Sequence, residues 1–397
     1  MRVLQVNATY GFGSTGIIVE DIGKTLQKYG HEAYFAYQRT NQKISNGYQI
    51  GNKFDWKLHA LLCRIFGRQG FYSSIPTKRF LKHIDKVKPD VVHLHNLHGN
   101  YIHNGILWDY LAKKNIPTVI TMHDCWNFTG KCFHYIDVGC NKFEYNCEGC
   151  PKQHYVPNSI FFDVSATVLN SKSKILNIPK LKVVGCSNWI CGEAKKGIFQ
   201  NCDIVCINNG VDCSVFKPND CDSLKQELGI KDEFVVLGMA NKWLLPENIS
   251  IIKKVLNIAN IKLVIVGCNN SQKRQLMDID KDILTIGYIR GREELARYYN
   301  IADVFVNLTH ADTLPTVNME SIACGTPVVT YDNSGSTELV DNNITGIVVQ
   351  DNNQNAILEA IEKIKTMSFI ECRNIALHKF DKNKSYESYV DLYSSII

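Results

Sequence analysis

Short β-rich runs alternate with amphipathic helical stretches along nearly the whole chain, and the alternation is interrupted once. In the first half "RVLQV", "EAYFAY", "PDVVHLH", "PTVITMH", "LKVVGCS" and "DIVCIN" read as strands. Helical stretches lie between them, one placing Ile18, Ile22, Leu26 and Tyr29 on a single face. After the turn-rich "NNGVDCSVFKPND" the pattern restarts with "FVVLGMA", "KLVIVG", "LTIGYI", "DVFVNL", "TPVVTY" and "GIVVQ". Strand-helix alternation of this kind predicts an α/β chain with two doubly wound parallel sheets. The expected domains are 1–207 and 221–382, joined by a linker over 208–220, with the amphipathic segment 383–397 packing back on the first domain.

Composition fits that organisation and narrows the function. A chain of 397 residues that is 45% hydrophobic can bury two cores. The net charge of +5 comes without a basic run, which argues against a nucleic-acid partner. No stretch approaches the ~18 apolar residues of a membrane span, and the Gly-rich start does not read as a signal peptide, so a cytoplasmic protein is expected. Most of the fifteen cysteines sit singly in apolar runs, for example Cys186, Cys206, Cys268 and Cys324, and read as small hydrophobes.

In a parallel sheet, ligands bind beyond the carboxyl ends of the strands. The first strand runs into "YGFGSTG", whose Gly11, Gly13 and Gly16 fit G-x-G-x-x-G. A dinucleotide site needs an acid about 20 positions further on. The chain offers "AYFAYQRTNQ" there, with Arg39 and no acid, so NAD is disfavoured and NADPH is the weaker reading. What the loop does offer is unencumbered backbone N–H groups at a helix N-terminus, which favour an anion. Two further strands end at His95 and at His123-Asp124; His123 reads as functional, whereas His93, His95 and His98 stay nearer a structural reading, with His95 the best candidate of the three because it ends its strand. In the second half Asp312 and Glu320 stand eight residues apart, with Glu320 expected to open a short helix. A carboxylate there could accept two ribose hydroxyls; the plainer reading is that both acids cap the helix.

Four stretches together, "GSTG" with its helix, "PDVVHLHNLHG", "TMHDCWNFTGKC" and "LPTVNMESIACGTPVVTY", resemble the glycosyltransferases of family 4, in particular a bacterial surface-polysaccharide subgroup. The resemblance spans the chain to about residue 350. It implies the GT-B fold, two Rossmann-like domains with a cleft between them, and a retaining transfer from a nucleotide-sugar held mostly by the C-terminal domain. On this resemblance Glu320 grips the ribose, Asp312 lies near the donor sugar and diphosphate, and His123 reaches the donor sugar. Gly13, Ser14, Thr15 and Gly16 lie beside the diphosphate, and Pro315, Thr316 and Val317 also face the donor. His95, Asn96 and Asp124 fall on the acceptor side. No catalytic metal is implied; helix dipoles and cations neutralise the leaving group. UDP is the expected nucleotide and GDP the second choice. The acceptor is a glycan or a polyprenyl-linked precursor of capsule, exopolysaccharide or O-antigen.

The chain departs from the family in one place. Where relatives carry Arg-Lys-Gly it has Pro246, Glu247 and Asn248, so Lys242 with Arg290 or Arg292 is expected to replace the missing cations. A non-catalytic partner subunit is the alternative that this departure raises.

Two segments fall outside that scheme. Cys132, Cys140, Cys147 and Cys150 form C-x7-C-x6-C-x2-C, which reads either as a closed four-thiolate zinc site or as reduced thiols or an iron–sulfur cluster. The resembling subgroup carries similar cysteines. The stretch from Lys53 to Ile84 mixes Trp56, Leu61, Leu62, Ile65 and Phe66 with Lys57, Arg64, Arg68, Lys78 and Arg79. It reads either as an ordinary surface or as a peripheral contact with the inner leaflet of the cytoplasmic membrane.

Overall fold

The computed structural model describes residues 1–397. The chain forms two compact units, Met1–Asn209 with Asn383–Ile397, and Gly210–Lys382. Each is a parallel α/β sandwich, and no helix is long and apolar enough to cross a membrane.

The first unit carries β1 (Arg2–Tyr10), β2 (Glu32–Thr40), β3 (Gly47–Gln49), β4 (Val91–Leu94), β5 (Thr118–Met122), β6 (Leu181–Gly185) and β7 (Ile204–Cys206). They lie in the order β3-β2-β1-β4-β5-β6-β7, all parallel. Because helices cover both faces, central strands such as β4 and β5 are buried throughout, and their sequences, VVHL and TVITM, show no alternation of apolar and charged residues. The helix Ser14–Lys28 buries Ile18, Ile22 and Leu26 against this sheet. Tyr29, expected on the same face, lies past the last turn as the C-cap and is 47% exposed. The C-terminal helix Lys382–Ile396 sets Tyr386, Tyr389 and Tyr393 into the same core, where the Tyr393 hydroxyl meets His93 Nδ1 at 2.6 Å.

The second unit carries β8 (Phe234–Met239), β9 (Ile261–Val266), β10 (Leu284–Thr285), β11 (Val304–Asn307), β12 (Val328–Tyr331) and β13 (Gly346–Val349), in the order β10-β9-β8-β11-β12-β13. Sheet order reverses beside β1 in one unit and beside β8 in the other, which is where parallel sheets open a ligand crevice. Residues 210–220, read from the sequence as linker, are largely built into this unit. Val211, Cys213 and Phe216 are buried, Val211 bridges Asp381, and Arg373 donates to the carbonyls of Phe216 and Cys213. Their turn-forming composition describes the local backbone and not a free tether.

Candidate active site

In the first unit the site grows from the ends of β1, β4 and β5. Gly13 sits at φ 67° and caps the helix Ser14–Lys28 without any side-chain hydrogen bond, so the N–H groups of the first turn have no side-chain cap. A Cβ on Gly13 would meet nothing within 4 Å, whereas one on Gly16 would lie 2.8 Å from Thr9 Oγ1 and 3.3 Å from its carbonyl carbon. The two glycines therefore differ: Gly13 leaves space for a ligand, and Gly16 lets the helix approach β1. Ser14 is exposed beside Gly13. Thr15 Oγ1 accepts from the amides of Asn7 and Asn96, both at 3.4 Å, and Asn96 N–H donates to Asn7 Oδ1 at 3.1 Å. These bonds draw the loops after β1 and β4 together.

His95 and His123 are buried side by side, with His95 Nδ1 3.0 Å from His123 Nε2. Their protonation follows from Gln5. Its Nε2 donates to the Val19 carbonyl at 3.1 Å, so its Oε1 is the atom that faces His95 Nε2 at 3.2 Å. An amide oxygen only accepts, so His95 carries its proton on Nε2 and offers a bare Nδ1. His123 must then donate from Nε2, which leaves its lone pair on Nδ1. Burial holds both rings neutral, pushing His123 down to about 4 against the opposing pull of Asp124. His123 is thus an uncharged ring whose Nδ1 has acceptor character. Asp124 accepts from Trp126 N–H at 2.9 Å and pairs with His98 at 2.9 Å. Burial raises its carboxyl, but His98 and the Trp126 N–H outweigh that and leave it below the ordinary value.

In the second unit the helix Thr316–Ala323 begins after Pro315 with no side-chain cap and no acid in its first turn. Thr316 and Val317 therefore present their N–H groups without a side-chain cap. Glu320 does not open this helix, as the sequence suggested, but stands in its second turn. There it accepts from the Tyr299 hydroxyl at 3.1 Å. Desolvation pushes its carboxyl up to about 7, against the counter-pull of Tyr299 and Arg292. Asp312 caps its own loop: its Oδ1 accepts from Leu314 N–H at 3.1 Å, and its N–H donates to Ser334 Oγ at 3.0 Å. Neither acid caps the helix. A Cβ on Gly335 would fall 1.7 Å from the Thr313 carbonyl oxygen, so the "NSGSTE" turn packs directly onto the Asp312 loop.

The altered cation segment has a structural explanation. Asn248 is buried and donates to the carbonyls of Lys242 at 3.0 Å and Leu308 at 3.2 Å, bracing the turn after β8 against the end of β11. Pro246 and Glu247 are exposed, and Lys242 is half-buried. Of the two arginines proposed to compensate, Arg292 acts on Glu320 and lies 4.0 Å from Asp212, while Arg290 is exposed.

The zinc reading of the four cysteines is not supported by their arrangement. No three or more His, Cys, Asp or Glu side chains form a group that could hold a metal ion. Two of the thiols, Cys132 and Cys150, share a hydrogen bond that holds the Cys150 thiol down and pushes Cys132 up, and Cys147 Sγ accepts from Gly130 N–H at 3.2 Å. Cys140 is half-buried at the turn between two short 3-10 segments.

Gln5, Asn7 and Tyr299 were not singled out from the sequence. A signal existed for the first two, since polar residues inside a strand buried on both faces need a partner, and Gln5 and Asn7 are 0% and 1% exposed. Nothing in the sequence points to Tyr299, which meets Glu320 through tertiary packing.

Comparison with known proteins identifies the family. A family model for Glycosyltransferase Family 4 matches residues 15–215, and one for Glycosyl transferases group 1 matches residues 220–384. The chain is 24% identical over 360 residues to alpha-monoglucosyldiacylglycerol synthase of Acholeplasma laidlawii, covering 85% of this chain and 81% of the relative. It is 20% identical over 359 residues to a putative colanic acid biosynthesis glycosyl transferase, WcaC, of Escherichia coli, covering 86% and 85%. Among solved structures, Anabaena HepE in complex with UDP-glucose superposes with a TM-score of 0.65 at 15% identity, covering 100% of both chains. These matches set the reductase reading aside. The chain belongs to glycosyltransferase family 4 and has the two Rossmann-like domains of GT-B enzymes.

Proposed function

We propose that the protein is a retaining glycosyltransferase that moves a hexose from a UDP-sugar to a glycan or lipid-linked acceptor in surface polysaccharide synthesis. The observation that carries this reading is the helix Thr316–Ala323, which combines an uncapped N-terminus with Glu320 one turn further on. A nucleoside diphosphate offers those two elements an anion and a pair of ribose hydroxyls. Anabaena HepE, bound to UDP-glucose, supports UDP over GDP, and the colanic acid transferase supports the polysaccharide setting.

In this reading Glu320 accepts the ribose hydroxyls, and the N–H groups of Thr316 and Val317, with Lys242, stabilise charge on the diphosphate. Asp312, held by Ser334, orients the donor sugar. His123 accepts a sugar hydroxyl at Nδ1, and the Gly13–Gly16 turn closes over the diphosphate. The C1–phosphate oxygen bond breaks while an acceptor oxygen bonds C1 on the same face, and the acceptor proton passes to the departing phosphate. His95, Asn96 and Asp124 lie on the acceptor side, and a membrane-displayed acceptor places the protein at the inner face of the cytoplasmic membrane. Proton NMR of the product formed from an α-linked UDP-sugar tests the mechanism. An α-configured product is expected, and a β-configured one contradicts retention.

Pro246 and Glu247 favour a second reading, a nucleotide-sugar-binding subunit without turnover, because an exposed proline and an acid stand in the places of the usual cations. Binding of UDP-glucose without transfer to any acceptor in a membrane extract favours that reading.

A further inference from the structure

One helix of the first unit leaves an apolar face uncovered. On Lys53–Phe66, Phe54, Leu58 and Leu61 are 72%, 43% and 53% exposed and their spacing places them along one side, while Phe66, 45% exposed, lies at the helix end against the turn 155–162. An isolated exposed leucine is ordinary, but an aligned row is not. The turn 155–162, at the end of the helix, adds Val156, Phe161 and Phe162, which are 79%, 67% and 50% exposed. Ile160 N–H donates to the Arg64 carbonyl at 2.8 Å, and the rings of Phe66 and Phe162 stack at 6.0 Å, so helix and turn form one surface.

This surface is held in place. Ser159 Oγ donates to the Phe162 carbonyl at 2.6 Å, Lys131 Nζ donates to the Gln153 and Tyr155 carbonyls, and Asp163 accepts from Cys150 N–H at 2.7 Å. The cysteine segment therefore anchors the base of a turn whose aromatic tip faces water. Lys53, Lys57, Arg64 and Arg68 are exposed on the same helix and just beyond its end. Apolar side chains alone would suit a protein partner. Bordered by four cations, they suit an anionic bilayer, with the aromatics at the headgroup boundary and the basic groups at the phosphates.

We propose that the face formed by the helix Lys53–Phe66 and the turn 155–162 seats the protein on an anionic lipid surface. The proposal rests on the reading of a membrane-displayed acceptor and names the surface that meets the membrane. It also redraws the basic and apolar stretch noted in the sequence. Lys78 and Arg79 belong to a separate helix, Ser74–Val87, and the 155–162 turn, distant in sequence, joins the face instead.

Flotation of the full chain with phosphatidylcholine vesicles, with and without phosphatidylglycerol, tests it. Binding to the anionic vesicles only, weakened by salt, is expected. Arg64→Gln with Arg68→Gln should weaken it about 30-fold, at about 1 kcal/mol for each cation near an anionic surface. Phe54→Ser with Phe161→Ser should weaken it without changing the melting temperature, since both side chains are largely exposed. No binding of the wild type, equal binding by all variants, or concentration-dependent self-association abolished by the Phe variants would overturn the proposal. The melting shift produced by UDP-glucose, measured on the same samples, separates the two readings: a retained shift without flotation removes the lipid surface alone.

Discussion

At the residue scale, Glu320 makes the most specific prediction. Its carboxyl, pushed up to about 7, is protonated below that pH and can then no longer accept two ribose hydroxyls. Affinity for a UDP-sugar should fall about tenfold between pH 8 and pH 6, the amount expected when binding requires the ionised form of a group titrating near 7. UDP-sugars carry no phosphate proton that titrates in this range, so the slope reports the protein. Glu320→Gln should bind weakly and without pH dependence when measured by calorimetry, and a slope retained in that variant would assign the titration elsewhere. Gln5 makes a second prediction. Gln5→Leu removes the acceptor that fixes His95, so His95 and His123 lose their single tautomer. Stability should fall by about 1–3 kcal/mol, the cost of an unsatisfied buried polar group, and kcat/KM should fall as His123 loses its fixed tautomer. The nitrogen shifts of the His123 ring, measured by NMR, should move as well, and Gln5→Glu, which keeps an acceptor, should restore part of both. An unchanged His123 spectrum in Gln5→Leu would remove Gln5 from the chain.

At the scale of elements, the glycine turn and the segment after β8 each pair a residue placed for binding with one placed for folding. Gly13→Ala places its Cβ in open space but at φ 67° and ψ 161°, a region essentially reserved to glycine, at a cost of about 1–3 kcal/mol, and should impair transfer as well as lower stability. Gly16→Ala drives a Cβ toward Thr9 and should destabilise by about 1–3 kcal/mol, visible in denaturant melts with or without ligand. Asn248→Ala should likewise destabilise, since it abandons two buried carbonyls, whereas Lys242→Ala should lower transfer at an unchanged melting temperature. The sequence showed the strands well because a parallel strand buried on both faces is written as a continuous apolar run. It left out β3, since an edge strand this short carries little pattern, and it read the two-residue β10 as the longer run "LTIGYI". It placed Glu320 near a helix start but a turn too early, because no capping residue marks the break at Pro315. The arrangement of the cysteines could not be read from their spacing, since it depends on Gly130 N–H and Asp163 supplied by other parts of the loop.

At the scale of the molecule, two sheets of closely similar order are specialised by what stands at their carboxyl ends. The first presents neutral histidines and amides, groups suited to hydroxyls. The second presents an uncapped helix, a lysine and a carboxylate, groups suited to a nucleoside diphosphate. We propose that this second set holds a nucleotide-sugar, with Glu320 on the ribose. This assignment is tested most directly by thermal melts of the wild type and Glu320→Ala across UDP-, GDP- and ADP-sugars and NADPH. The wild type should be stabilised by UDP-sugars, by about 2.7 kcal/mol at a hundredfold excess over Kd, and the variant should lose most of that shift. No shift with any nucleotide-sugar, a shift with NADPH alone, or an equal shift in Glu320→Ala would contradict the account.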